Sequence, residues 1–473
     1  AGSYWLAYLP SSGTLGFRKE LSGAARYYTY SYGAMPSSFS QSPTSEVVHW
    51  SLYGTLGVSG STSSPPPTPS PPPTPSPPPS GSTPPSGAGT FDCYGSTPNC
   101  VGLTPASCTS TISSGLQTAL NNATGGQVIC LSSTSGYGNI SLSSRSYSSD
   151  VIVQPASGIA ATIGSVSLNA VSHLRFTGVG ASSLASTSLT VNGSSIDTNS
   201  GCSTNITFDH VIYADGSFVY PKFSCSNGLN IRFDHDRFDN ISGPGGGEEQ
   251  RFRIVDTGGP AQTNGITVSN SHFAGGCSDG IDFAGSPYGT VVGPGNEFTN
   301  ISQSYANANC GGNHVDPIQG LGSEHTLVTG NWFHDVGGSG GILSAEEPNL
   351  TVTNNVFANV GYPYSILVKG AQHNTYTHNV FYEGISWQNE GQVPAGSGNL
   401  VQNNVFVNGG GISVPDGSTY TANHNLGSCP GCDTAGSPIY VSSPTSGYYH
   451  YELASGSPGY HAGSDGKSLG IMP

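Results

Sequence analysis

Charge is what this chain has least of. Only 8% of its 473 residues are Asp, Glu, Lys or Arg, where an ordinary globular protein carries about 25%. Within that small complement acids prevail, 27 against 12 bases, for a net charge of -15. A surface so poor in Lys and Arg offers phosphates no electrostatic footprint, which argues against nucleic acid as a partner. Long hydrophobic runs are missing as well. No stretch of 18 apolar residues occurs, so the sequence holds no candidate membrane-spanning helix. A metal centre is not expected either: His373 and His378 read as turn residues of one coil, and no third ligand stands with them.

Glycine is plentiful instead, at 68 residues, with Ser, Thr and Asn carrying the polarity. Ten cysteines accompany them, which points to an oxidising compartment and an extracellular, secreted or cell-surface protein. A chain that opens at Ala1 without Met is expected to be a mature form. Sequence order suggests local disulfides: Cys93–Cys100, Cys108–Cys130, Cys202–Cys225, Cys277–Cys310 and Cys429–Cys432. The Cys429-Pro-Gly-Cys432 spacing also suits a redox motif, but after β-rich sequence it reads as a structural clip. Glycosylation sequons stand at Asn122, Asn139, Asn192, Asn205, Asn240, Asn300 and Asn349.

Between Gly201 and Gly427 one phrase recurs: NITFDHVIY, NIRFDHDRF, ITVSNSHF, TVVGPGNEF, TLVTGNWF, LTVTNNVF, NTYTHNVF, NLVQNNVF. Its closing aromatics are Tyr213, Phe238, Phe273, Phe298, Phe333, Phe357, Phe381 and Phe406, at successive gaps of 25, 35, 25, 35, 24, 24 and 25 residues. A period of that size means stacked supersecondary units, none able to bury its apolar face alone. Each phrase alternates apolar with polar residues and is rich in Val, Ile, Thr and Phe, so the unit is a β-coil. Asn296, Asn331, Asn355, Asn379 and Asn404 fall two residues before the aromatic. Asn tolerates left-handed backbone, so the column marks one bend in every coil, and its side chains can hydrogen-bond from coil to coil.

These phrases resemble the right-handed parallel β-helix repeat proteins, the broad pectate-lyase-like superfamily, from roughly Thr111 to the C-terminus. The resemblance implies an all-β chain: about eleven coils at ~4.8 Å spacing, a column on the order of 50 Å long. A short helix covers the open first coil in that family. SSGLQTALNNATGGQVICL fits it, with Ser114 and Gln117 at capping-box spacing and Leu116 and Leu120 as an apolar stripe. Residues 457–472 resemble the family's common ending and are expected to cover the other end.

The parts divide as residues 1–60, 61–90 and 91–473. The first is rich in aromatics: Tyr4, Trp5, Tyr8, Tyr28, Tyr30, Trp50 and Tyr53 among them. Ala25–Tyr32 and Val47–Tyr53 read as strands. Sixty residues without cysteine make a marginal core, so these aromatics are expected to bury against something else. Residues 61–90 are a proline-rich linker whose polyproline II reach is roughly 65 Å. A short aromatic segment on so long a tether suits strand addition to a neighbouring copy. Repeated head to tail, such a contact makes a filament. A secreted, self-assembling structural protein is the function expected first.

The alternative is a carbohydrate-active β-helix enzyme, lyase or glycoside hydrolase, or a glycan-binding adhesin. Two coils are ten residues longer than the others, and the densest polar cluster lies beside them. Aligning CSDGIDF (277–283) with NHVDPIQG (313–320) turns Ile281 and Ile318 inward, stacks Asp279 on Asp316, and sets outward-facing Asp282 on Gln319. GILS (341–344) and SILVK (365–369) continue the row, which draws in His314, His325, Glu346 and Lys369. Arg251 and Arg253 lie in a neighbouring glycine-rich loop. Asp279, Asp282 and Asp316 would be the acid–base set of a hydrolase. In a lyase they would hold Ca²⁺ against a uronate while Lys or Arg takes the α-proton; otherwise no cofactor is called for. They are also residues that satisfy turns. The Asp-Asp, Gly-His-Gly and Arg-x-Lys motifs of the polygalacturonases, and the arginine motif of the pectate lyases, are not present.

Overall fold

The structure, a computed structural model, describes residues 105–472 apart from short internal segments, together with four short strands between residues 19 and 50. The chain divides into two compact units, residues 1–80 and 81–473. In the first, Lys19–Glu20 pairs antiparallel with His49–Trp50, and Ala25–Tyr27 with Thr44–Glu46. The second is a parallel β-helix. Among the described residues it has a first sheet of 15 strands, from Ser110–Ile112 to Tyr420–Asn423. A second sheet of ten runs from Ala160–Ile163 to Val405–Phe406, and a third of eight from Lys222–Phe223 to Gly411–Ser413.

The interior follows from the alternation in the repeated phrases. Tyr213, Phe238, Phe273, Phe298, Phe333, Phe357, Phe381 and Phe406 stack in one buried column with ring centroids 4.3 to 5.2 Å apart. Those separations lie close to the strand spacing, so each ring meets its counterpart in the next coil, as offset stacking favours. Beside it runs the asparagine column. Asn355 shows the pattern: its Oδ1 accepts from the N–H of Asn331 at 2.9 Å. Its Nδ2 donates to Val328 O at 3.0 Å and to Asn379 Oδ1 at 3.0 Å. Asn296, Asn331, Asn379, Asn404 and Asn425 are buried in the same way. The left-handed residue, however, stands one place earlier, at Asn270, Asn354, His378 and Asn403. The buried asparagine is thus the turn's hydrogen-bonding residue, and its predecessor takes the strained backbone.

Asp236 occupies the same column, two residues before Phe238, and accepts from Val211 N at 2.8 Å. It is fully buried, and burial, then the Val211 hydrogen bond opposed by the charges of Asp209 and Asp234, leaves its carboxyl well above the usual range. A raised folded-state value means that the native state holds a proton the unfolded chain has lost. Stability therefore falls as pH rises above the unfolded carboxyl's value. Asp236→Asn should remove that fall and restore the amide pattern, stabilising the protein by about 1–3 kcal/mol at neutral pH. Urea denaturation at acid and neutral pH measures the difference, which should shrink in acid.

The first coil is closed by the helix Leu116–Asn122, whose Leu116 and Leu120 are buried. Its capping box does not form. Gly115 is the N-cap, and Gln117 instead accepts the N–H of Ser141 through Oε1 at 2.7 Å. The chain's end also departs from expectation. Residues 457–472 run along the flank, where Leu469 and Ile471 join Tyr448, Tyr451 and Leu453 over Val356, Val380 and Val405 of the second sheet. The last coil is met instead by the Cys429–Cys432 clip, packed beside Ile412 and Ala422. Cys108–Cys130 and Cys277–Cys310 form as expected, and Cys202 is disulfide-bonded. Cys93, Cys100, Cys225 and the proline linker lie outside the described residues.

Candidate functional site

The third sheet sets the register of the polar cluster. Ile281 pairs with Ile318, Ile318 with Ile342 and Ile342 with Ile366, all buried. The alternation then turns the intervening residues outward, in the row Arg253, Asp282, Gln319, Leu343, Leu367 and Ser386. Arg253 Nε lies 2.9 Å from Asp282 Oδ2, an ion pair in which Asp282 is covered and Arg253 a quarter exposed. Lys369 ends its strand between Ala345 and Gln388.

Asp279 and Asp316 stand at the corner before this row, and both serve the backbone there. Asp279 Oδ1 accepts the N–H of Asp316 at 2.7 Å, and Asp316 accepts that of Gly340 one coil further on. Each repeats with a carboxylate what the asparagine column does with an amide. Burial, and then the charge of Asp316, raises the Asp279 carboxyl well above its usual range. Burial likewise lifts Asp316 to about 7, only partly offset by His314 and Lys369. His314 Nδ1 sits 3.1 Å from Asp316 Oδ2, at ion-pair distance but bent away from hydrogen-bond alignment. The two differ sharply in access: the Asp316 side chain is 2% exposed, that of His314 53%.

Two features support this corner. The long coil between Phe298 and Phe333 carries the helix Gln303–Asn309, and Gln303 Oε1 accepts Val315 N at 3.1 Å. The disulfide Cys277–Cys310 ties the helix end to the segment bearing Asp279. Beneath lies Arg251, fully buried, donating to Phe238 O, Ala274 O, Gly275 O and Ser278 O. Burial lowers its guanidinium to about 10. The expectation that Arg251 reaches the site is corrected: its charge is spent on carbonyls that hold the 274–278 turn, and only Arg253 reaches the outer row.

The other expected residues scatter. His325 takes a left-handed corner and packs its ring on Tyr288, centroids 4.4 Å apart, so its role is in the turn. Glu346 lies outside the described residues; its neighbour Glu347 turns inside, accepting from Ser344 Oγ at 2.7 Å beneath Gly320. Calcium does not fit this ladder. Asp282 is already neutralised by Arg253, while Asp279 and Asp316 keep protons that a cation would have to displace.

Residues 261–426 match the family model for the right handed beta helix region. A comparison with curated proteins finds no match in sequence. Among solved structures, the chain is similar to an alginate lyase of the PL6 family at 15% identity and a TM-score of 0.49, covering 77% of this chain and 58% of that one. A mannuronan C-5 epimerase A-module from Azotobacter vinelandii matches at 13% identity and TM-score 0.40, covering 68% of this chain and 94% of that module. A surface adhesin of Streptococcus pneumoniae matches at 12% identity and TM-score 0.37, covering 65% and 89%. The chain thus spans little more than half the length of the lyase, and at these identities the likeness is one of fold.

The expectation of a head-to-tail filament is corrected here. The solved structures that match are mainly polysaccharide lyases and epimerases rather than filament subunits. The described strands of residues 1–80 also find their partners within that segment, so they are not waiting for a neighbour's edge. Of the aromatics assigned to docking, Tyr4, Trp5, Tyr8, Tyr28, Tyr30 and Tyr53 lie outside the described residues, and Trp50 pairs with Lys19.

Proposed function

We propose, for a chain that is a right-handed parallel β-helix repeat protein, that the outer row of the third sheet binds an acidic polysaccharide and that His314 cleaves it by elimination. The observation that carries this is the pairing of a buried acid with an exposed imidazole, Asp316 with His314. An ionised Asp316 holds the Nδ1 proton and leaves Nε2 as the base, which is how a carboxylate prepares a histidine for proton abstraction.

The reaction class follows from the charges nearby. Abstracting the proton next to a uronate carboxylate requires that the carboxylate's charge be neutralised, and Arg253 and Lys369 are the third-sheet cations available for it. His314 takes that proton. The carbon–oxygen bond at the adjacent carbon breaks, the departing chain end is protonated, and a double bond remains in the new non-reducing sugar. Lys or Arg as the base, expected from sequence, fits less well, since Arg253 is ion-paired with Asp282. The three disulfides suit a secreted protein acting on extracellular glycans.

The test is incubation of the purified chain with uronate-containing and neutral polysaccharides in the presence of a chelator. Release of unsaturated, ultraviolet-absorbing oligosaccharides from the acidic polymers is expected. New reducing ends without the double bond would instead identify a hydrolase, with Asp282 and Asp316 as the pair.

A further inference from the structure

On a different flank, the outer face of the second sheet carries a chain of alternating acids and imidazoles that the proposed reaction does not use. Glu297 stands between two histidines from neighbouring coils. Its Oε1 lies 2.9 Å from His334 Nε2 and its Oε2 3.9 Å from His272 Nε2. Each histidine turns its other nitrogen to an aspartate: His272 Nδ1 is 2.5 Å from Asp239 Oδ1, and His334 Nδ1 is 2.8 Å from Asp335 Oδ2. Those aspartates are themselves fixed, Asp239 by Arg237 and Asp335 by the Asn359 amide. Both imidazoles and Glu297 are about 15% exposed, sheltered but within reach of solvent.

We infer that this flank binds a divalent transition-metal ion of zinc type through Nε2 of His272, Nε2 of His334 and the carboxylate of Glu297. The donor set is two imidazoles and one carboxylate, a combination that takes zinc with a fourth position left for water. The second layer is in place: a metal-bound histidine characteristically gives its other N–H to a carboxylate, which fixes the tautomer and strengthens the donor. Asp239 and Asp335 occupy those two positions. At metal–donor distances of about 2.0–2.1 Å, tetrahedral ligands lie roughly 3.3 Å apart. The separations here, 2.9 and 3.9 Å, fall on either side of that value.

Among the described residues no group of three such side chains is already opened around a common centre. The reason at this site is protonic. His334 contacts an acid through each ring nitrogen, and both contacts need a proton. Binding must therefore replace the Nε2 proton with the metal and close the His272–Glu297 gap by about 0.6 Å. Proton release is thus a signature of the site.

The experiment is calorimetric titration of the chelator-dialysed full chain with Zn²⁺ in two buffers of different ionisation enthalpy. One ion per chain, with release of at least one proton, is expected. Glu297→Gln and His334→Gln should each weaken binding at least ~100-fold, and Asp239→Asn, which leaves all three ligands intact, ~10–100-fold. Because the Trp332 ring stacks on His334 at 3.8 Å, Co²⁺ should also quench tryptophan fluorescence in the wild type and not in His334→Gln. No saturable Zn²⁺ uptake by the wild type, or equal uptake by Glu297→Gln and Asp239→Asn, overturns the inference. The readout is binding, so it stands whether or not the chain cleaves polysaccharide.

Discussion

His314→Ala should lower kcat for polysaccharide cleavage by about 10²–10⁴-fold, the range of a lost general base, while leaving the melting temperature nearly unchanged. The side chain is more than half exposed, and its contact with Asp316 is bent from hydrogen-bond alignment, so its removal opens no cavity. Asp316→Asn tests the same pair through pH. If an ionised Asp316 is what orients the imidazole, kcat/KM of the wild type rises as pH passes about 7, and the asparagine variant loses that limb. Its stability should move the other way. The native carboxyl keeps its proton between the unfolded value of 3.8 and about 7, so stability is lost as pH rises through that window. Asparagine does not titrate and can still accept from Gly340. The variant should therefore be slower yet, at about pH 8, more stable than the wild type by roughly 1–4 kcal/mol. A purely structural Asp316 would give the stability gain without the change in pH profile.

The second large effect concerns the solenoid. Asn355→Leu should destabilise it by about 3–6 kcal/mol, read as a shift in urea midpoint with little change in slope. Leucine has similar volume but no polar atoms. The Asn331 N–H would lose its acceptor, and Val328 O and Asn379 Oδ1 would lose a donor, all away from water. A buried polar group left unpaired costs about 1–3 kcal/mol. Asn355→Asp should be nearly as harmful at neutral pH, because it replaces the amide donor with a buried charge.

Much of this fold was legible because the repeats vote together. Eight copies of one phrase fix the aromatic column and the strand register, and Ile281 opposite Ile318 followed from alternation alone. Local signals without repeats fared worse. Ser114-x-x-Gln117 has the spacing of a capping box, yet Gln117 finds a stronger partner in the next coil's Ser141 N–H, and a long-range backbone donor decides the matter. The candidate site was legible in register but not in access. Nothing in CSDGIDF or NHVDPIQG distinguishes a carboxylate that faces solvent from one that satisfies the neighbouring coil's N–H, as Asp279 does. The Glu297 cluster escaped because its members come from three coils, 25 and 37 residues apart along the chain, and none belongs to a short motif.

The tail on the flank changes how the molecule should come apart. A solenoid of identical neighbours behaves as a row of units coupled only in pairs, and it frays from its ends. Here three successive left-handed corners are each tied to the same short stretch of chain. Asn354 exchanges hydrogen bonds with Met472, His378 Nδ1 lies 3.2 Å from Gly470 O, and Asn403 accepts from Ser464 N at 3.0 Å. No one of these coils can open without stripping part of the strap from the others. The C-terminal third should therefore exchange its amide hydrogens as a single block with one opening free energy, rather than in a gradient along the axis.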